Sequence, residues 1–355
     1  LEVMQLFTIG LYELNSDGTQ KLDSLGKPIE TYDNNDVLGL ARVFTGWDNA
    51  TGTDPQAELA ATAYRHGLPM SLNASLHSPE EKRFLDVVIP AGTDGITSLK
   101  TALDALFNHN NTAPFVVKQL IQRLVTSNPS PAYVKRVATI FNDNGSGIRG
   151  DLKAVFKAVL LDDEARSAAT LSSTTHGKLR EPMLRFAQWA RTFKLNSKRG
   201  TWKINPPNYG STTLGQYPLR SPSVFNFFRP GYVPPNTQLA DLKATAPEYQ
   251  IVNESTVSQY INFMQNVLPN GLYVSGPDLL EQPMMSTSTD GFDLVPDYAS
   301  EIALTNDPAA LVRRLNLILA AGRLSQSTEN LIISAVKSDN INANSSDTAK
   351  LYNVC

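Results

Sequence analysis

Cysteine is nearly missing: the single one, Cys355, is the last of 355 residues. An internal disulfide framework is therefore impossible, and so is a zinc site built on cysteine. Histidine is scarce too, with His66, His77, His109 and His176 the whole supply, so a three-histidine site would use nearly all of it. No apolar run reaches the roughly eighteen residues that a membrane-spanning helix needs. Gly-x-x-x-x-Gly-Lys-Ser/Thr, Gly-x-Gly-x-x-Gly, Gly-x-Ser-x-Gly and His-Glu-x-x-His are all absent. Nucleotide-binding loops, the serine-hydrolase elbow and the helical metalloprotease motif lose their support with them. A signal peptide is missing as well, but Leu1 and Cys355 both fall inside helix-like patterns, so the sequence reads as an interior fragment.

What is present is a chain with 41% apolar and 18% charged residues, neither disordered nor coiled-coil-like, at 38.8 kDa with ample room for a core. Its net charge of -3 hides an asymmetry. Ala113 to Lys203 holds sixteen Lys/Arg against six Asp/Glu, and the remainder fifteen against twenty-eight. Leu268 to Val312 has no Lys or Arg and seven acids. Two readings fit: a basic surface for an anionic partner, or a basic middle packed against the acidic remainder. A pI near 5.9 argues against nucleic acid as that partner.

The fold expected is mainly α: one large helical domain over 1–355, with a small β-hairpin excursion and a long ordered loop rich in Pro and aromatics. Residues 96–166 predict a four-helix array. Ile96, Leu99, Leu103, Leu106 and Phe107 share one helical face, and Val117, Leu120, Ile121, Leu124 and Val125 share another. Ser130-Pro131 reads as N-cap and first helical residue, Asn144-Gly145 as a left-handed stop, and Asp151 as the next cap. Further helices are expected at Asp36–Trp47, Glu181–Phe193, Ser255–Val267, Pro308–Ala321 and Gln326–Val336, with Gly322 closing the fourth of these. Asn15-Ser-Asp17-Gly18-Thr19 and Gly26-Lys-Pro28 are turn signals of a hairpin excursion between Tyr12 and Tyr32. Residues 49–90 show no usable period and are expected to be irregular. Seven aromatics crowd Trp202 to Tyr232, and seven of twenty-two prolines lie between Pro206 and Pro235. The 202–235 segment is thus an ordered loop, and 268–307 an acidic one.

Candidate chemistry follows from these features. Arg180, Arg185 and Arg191 on the basic stretch, with Trp202, Tyr217, Arg220, Phe228 and Arg229 of the aromatic loop, form a candidate ligand-binding set through stacking and cation–π contacts. Covering the core as a lid is the plainer role for the phenylalanines. His77 and His109 with a carboxylate are a candidate zinc or iron site, and Asp290, Asp293 and Asp297 a candidate calcium loop. Asn15, Asp17 and Asp23 approach calcium-loop spacing, but Gly26 stands where the required glutamate belongs. Glu2, Glu81 and Glu181 are the carboxylates a hydrolase would use beside His77 and His109.

Glu2-Val-Met-Gln-Leu-Phe-Thr-Ile-Gly10 and Leu40-Ala-Arg-Val-Phe-Thr-Gly-Trp47 resemble the opening motifs of a bacterial family described as domain of unknown function 1800. His77-Ser-Pro-Glu-Glu-Lys82 is similar to its His-Asp-x-x-x-Lys element, and His109-Asn-Asn111 to its His-Pro-Asn. Gln119 to Arg166 resembles a proteobacterial branch, and Lys178-Leu-Arg-Glu-Pro182 and Ser221-Pro-Ser-Val-Phe-Asn226 continue the likeness. Ser78 replaces the family's aspartate and Asn110 its proline, and the first change removes a carboxylate from any metal or acid–base role there. The resemblance implies a mostly helical fold, export to the periplasm or beyond, more chain past both ends, and an exported sulfatase-like neighbour as a possible partner. It carries no activity, so no catalytic residue is transferred. The expectation is a non-enzymatic binding or scaffold protein of the cell envelope or extracellular space, meeting an anionic polymer. The alternative is a hydrolase of an extracellular polymer such as a polysaccharide, with calcium or zinc as the conceivable metals.

Overall fold

The computed structural model describes residues 1–49, 68–200, 202, 204, 214–274, 291–338, 342, 344–346 and 349–351. Helices dominate and the sheets are small and antiparallel, so the chain is mainly α. Its contacts divide it into two compact units, a division that the sequence pattern does not mark. The first comprises residues 1–178 and 235–245, the second 179–234 and 246–355.

The first unit opens with a π-helix, Val3–Thr8, followed by the small antiparallel β excursion expected between Tyr12 and Tyr32. Isolated bridges pair Tyr12 with Glu30, Leu14 with Gln20 and Leu22 with Pro28. The two turns fall where the sequence signals them: Gly18 and Gly26 sit at positive φ, and Asp17 accepts from the Thr19 amide and hydroxyl. Helix α1 (Asn34–Val43) starts on a capping box in which Asp33 accepts from the Asp36 amide and Asp36 from the Asp33 amide. The expectation of an irregular 49–90 is corrected over the described part. Strands β1 (Trp47–Asp48) and β2 (Ser71–Leu72) pair, as do β3 (Lys82–Phe84) and β4 (Val87–Ile89). Each strand has only two or three residues, too few for a period to show.

The helical array is α2 (Gly95–Asn108), α3 (Thr112–Leu124), α4 (Pro131–Asn142) and α5 (Leu152–Leu161). Asp94, Ser130 and Asp151 cap α2, α4 and α5 through their side chains. After α4 the chain leaves in extended conformation at Asp143, not through a left-handed glycine. The Asp143 carboxylate accepts from Gly145 and Gly147 amides and shapes the turn itself. Val117, Ile121, Tyr133, Val137 and Val155 form one core, and Met4, Ile9, Leu40, Phe84 and Leu106 a second. Residues 235–245 attach by Thr245, whose hydroxyl donates to the Ser127 carbonyl at 2.8 Å.

The second unit holds α6 (Pro182–Thr192), β5 (Asn196–Ser197), α7 (Glu254–Asn270), β6 (Leu272–Val274), β7 (Gly291–Val295), α8 (Pro308–Ala320) and α9 (Gln326–Ser338). The sheet order is β5-β7-β6. The described part of the acidic stretch thus supplies two strands of this sheet, with Asp293 and Leu294 buried on the central one. The α8 stop falls one residue early, on Ala321 at φ 53, with Gly322 also at positive φ. Trp189, Phe193, Phe263, Leu294 and Leu311 anchor the core. The Trp189 indole donates to the Tyr298 hydroxyl at 2.8 Å, which donates to the Leu268 carbonyl. Residues 214–234 contain no regular element, as expected of the Pro/aromatic loop; 201, 203 and 205–213 lie outside the described residues.

Candidate functional site

The start of α6 is built around a buried carboxylate. Glu181 occupies the N-cap position but leaves its own helix uncapped. Gln216, also buried, donates its amide to Glu181 Oε2 at 2.5 Å and accepts the Met183 amide through Oε1 at 3.3 Å. One side chain thereby satisfies both the acid and a free amide of the first turn. It also pins the loop, across 35 residues of sequence, to the end of α6 that carries Arg180.

The α6 arginines meet polar and aromatic groups. Arg185 donates from Nε to the Arg180 carbonyl at 2.8 Å, and its guanidinium lies 4.3 Å from the Tyr260 ring centroid. Arg180 donates to Gln188 Oε1, and Gln188 donates to the Leu319 carbonyl at 3.0 Å. Arg191 is exposed in the last turn. Among the described residues, none of these three forms an ion pair. Arg199 does meet an acid, at 3.4 Å from Asp293.

The loop set is only partly united. Tyr217 follows the Gln216 anchor, and the Arg220 amide turns back onto the Tyr217 carbonyl at 3.2 Å. Between them Leu219 is fully exposed with φ 60. Arg229 stacks 4.7 Å from the Phe225 ring, and its amide donates to Gln250. Phe228 is half-buried. Trp202, exposed at φ 53, has a separate anchor: its amide donates to the Ser197 hydroxyl.

The other candidates disperse. Glu2 is exposed at the π-helix, Glu81 pairs with Arg83 at 2.5 Å, and Glu181 is engaged by Gln216 in the second unit. His77 sets Nδ1 2.9 Å from the Thr45 carbonyl, and its Nε2 is buried without a partner. His109 accepts the Asn111 amide on Nδ1, and burial pushes its imidazole below the usual range. Asp293 is wholly taken up. It accepts from the Ser197 hydroxyl at 2.7 Å and the Arg199 amide at 2.8 Å. Burial raises its carboxyl, but those bonds and the guanidinium outweigh burial and hold it below the usual range. Asp297 accepts the Ala299 amide, and Asp290 lies outside the described residues. Among the described residues no three His, Cys, Asp or Glu side chains gather into a metal-holding group. Nor does any described helix have the length and apolarity to cross a membrane.

Tyr260 and Gln216 escape sequence reasoning. Each is a single residue in an unrelated segment, and only the fold brings it to α6.

The chain belongs to the family described as protein of unknown function DUF1800, whose family model matches residues 2–354. No curated protein and no solved structure matches it.

Proposed function

We propose that this protein is a non-enzymatic binding protein of the bacterial cell envelope or extracellular space, and that α6 presents its site for an anionic polymer. The observation that carries this reading is the set of three arginines on and just before one helix, none in an ion pair among the described residues and one of them held over the Tyr260 ring. A guanidinium stacked on a ring keeps its edge free for sulfate, carboxylate or phosphate groups, and its rotamer is already fixed. The pinned loop adds Arg220 beside Tyr217. Placement in the periplasm or outside rests on the family resemblance. A hydrolase would need two carboxyl groups facing one substrate; Glu181 is already bonded to Gln216, and Glu2 and Glu81 belong to the other unit.

The test is retention of the purified protein on immobilised dextran sulfate against neutral dextran. Retention on the sulfated matrix alone is expected, weakening steeply as salt shortens the screening length. Arg180→Glu with Arg185→Glu should lower affinity roughly a hundredfold, at about 1.4 kcal/mol per reversed charge. Equal retention of the double variant would sink the α6 surface.

A further inference from the structure

A second surface, on the first unit, has a different composition. The outward side of α5 carries Leu152, Phe156 and Leu160 at i, i+4 and i+8, exposed to 53, 39 and 50%. The adjoining side of the same helix carries Val155 and Val159, which turn inward and are fully buried among residues of α4 and α3. Burying that inner side accounts for the helix, so the outer apolar row is not needed for the fold. Lys153 and Lys157 stand exposed beside the row, and the ten residues of α5 include no acid. Neither lysine forms an ion pair among the described residues. Phe107, 41% exposed at the end of α2, packs its ring where Gly150, two residues before Leu152, leaves room. Arg149 lies over that ring at 5.4 Å.

We infer that the outward face of α5 docks on a bilayer containing anionic phospholipid. The charges choose this occupant over a second copy of the chain. A two-fold contact through this face would set Lys153 and Lys157 against their own copies, like charge on like charge. An anionic headgroup layer instead complements both lysines, while the leucines and Phe156 enter the acyl boundary beneath them. The helix then lies in the interface plane as a peripheral contact, and its inner side keeps its packing on α4.

The experiment is co-sedimentation of the intact chain with phosphatidylcholine vesicles, with and without phosphatidylglycerol. Sedimentation is expected only with the anionic vesicles and should fall as salt rises. Lys153→Ala with Lys157→Ala should reduce partitioning roughly 25-fold, from about 1 kcal/mol per lysine. Phe156→Ser with Leu160→Ser should reduce it at least roughly tenfold, with far-UV dichroism still that of the folded chain because Val155 and Val159 keep the inner packing. No sedimentation with either vesicle, or sedimentation unchanged in both variants, overturns the inference. So does a concentration-dependent dimer that the serine variant abolishes. Arg180→Glu and Arg185→Glu should leave vesicle binding intact, so this surface and the polymer-binding surface stand or fall separately.

Discussion

The two units bury charge in opposite ways. The first buries a cation: Lys82 on β3 is fully enclosed, and its ammonium donates to the Ser78 and Glu80 carbonyls at 3.0 and 3.2 Å. The second buries four carboxylates, Glu181, Glu248, Asp293 and Glu301. Asp293 is held by Arg199, Glu301 by Arg314 at 2.6 Å, and Glu181 by Gln216. A charge count along the chain is therefore a poor map of its surface. Part of the acidity outside Ala113–Lys203 is interior, whereas Arg180, Arg185 and Arg191 inside that stretch form no ion pair among the described residues and Arg180 and Arg191 are exposed.

The largest expected effect breaks the second half of this comparison. Asp293→Ala leaves Arg199 and the Ser197 hydroxyl without their common acceptor, and should destabilise the second unit by about 3–5 kcal/mol. Amide exchange resolved by unit should show the loss there first. Because the folded state holds Asp293 below the usual carboxylate range, its contribution is present at neutral pH. It disappears as acid titrates the folded group. The variant should lose that acid-limb dependence along with its stability.

Next in size is Asn111, the neutral pin of the first unit. Its buried amide donates to the Ile9 and Tyr12 carbonyls, both at 2.8 Å, and accepts the Leu14 amide at 2.9 Å. Asn111→Ala strands all three groups and should cost about 3 kcal/mol in denaturant melts, with exchange rising first in the β excursion between Tyr12 and Tyr32.

Lys82→Met should matter less. Deleting a buried charge relieves desolvation, and the two stranded carbonyls set the cost at about 1–2 kcal/mol. Burial, then Arg42, pushes the Lys82 ammonium below the usual lysine range. The folded chain therefore gives up this proton before the unfolded chain does, and stability rises with pH on the alkaline side. That rise should be absent from Lys82→Met. If both variants erased dependence at the same end of the pH scale, the contrast between the units would fail.

How far the sequence carries depends on the range of each contact. Ser130-Pro131, Asp94 and Asp151 act within one helical turn, so α2, α4 and α5 begin where pattern and cap agree. The α6 arginines were legible as charge. Their partners were not, because Gln216 and Tyr260 reach α6 only through the fold. The same holds for Asn111, whose family-like triplet gave a candidate histidine while the working group was the amide two residues on.

The hairpin that encloses Lys82 supplies the smallest test and shows why that region looked irregular. A two-residue hairpin loop of the primed type usually announces itself by Asn-Gly or Asp-Gly. Here Leu85 and Asp86 take the two left-handed positions, at φ 47 and 61, between Phe84 and Val87, which pair directly. Leucine is costly there, and part of the compensation is a 2.7 Å bond from the Leu85 amide to the Asp36 carboxylate on α1. Asp86 is exposed, so replacing it by glycine removes backbone strain and little else. Asp86→Gly should stabilise the first unit by about 0.5 kcal/mol, visible as slower amide exchange in β3 and β4 and no change in the second unit. Since the Lys82 ammonium is held by the Ser78 and Glu80 carbonyls and not by the turn, the variant should also keep the alkaline rise in stability that Lys82→Met abolishes.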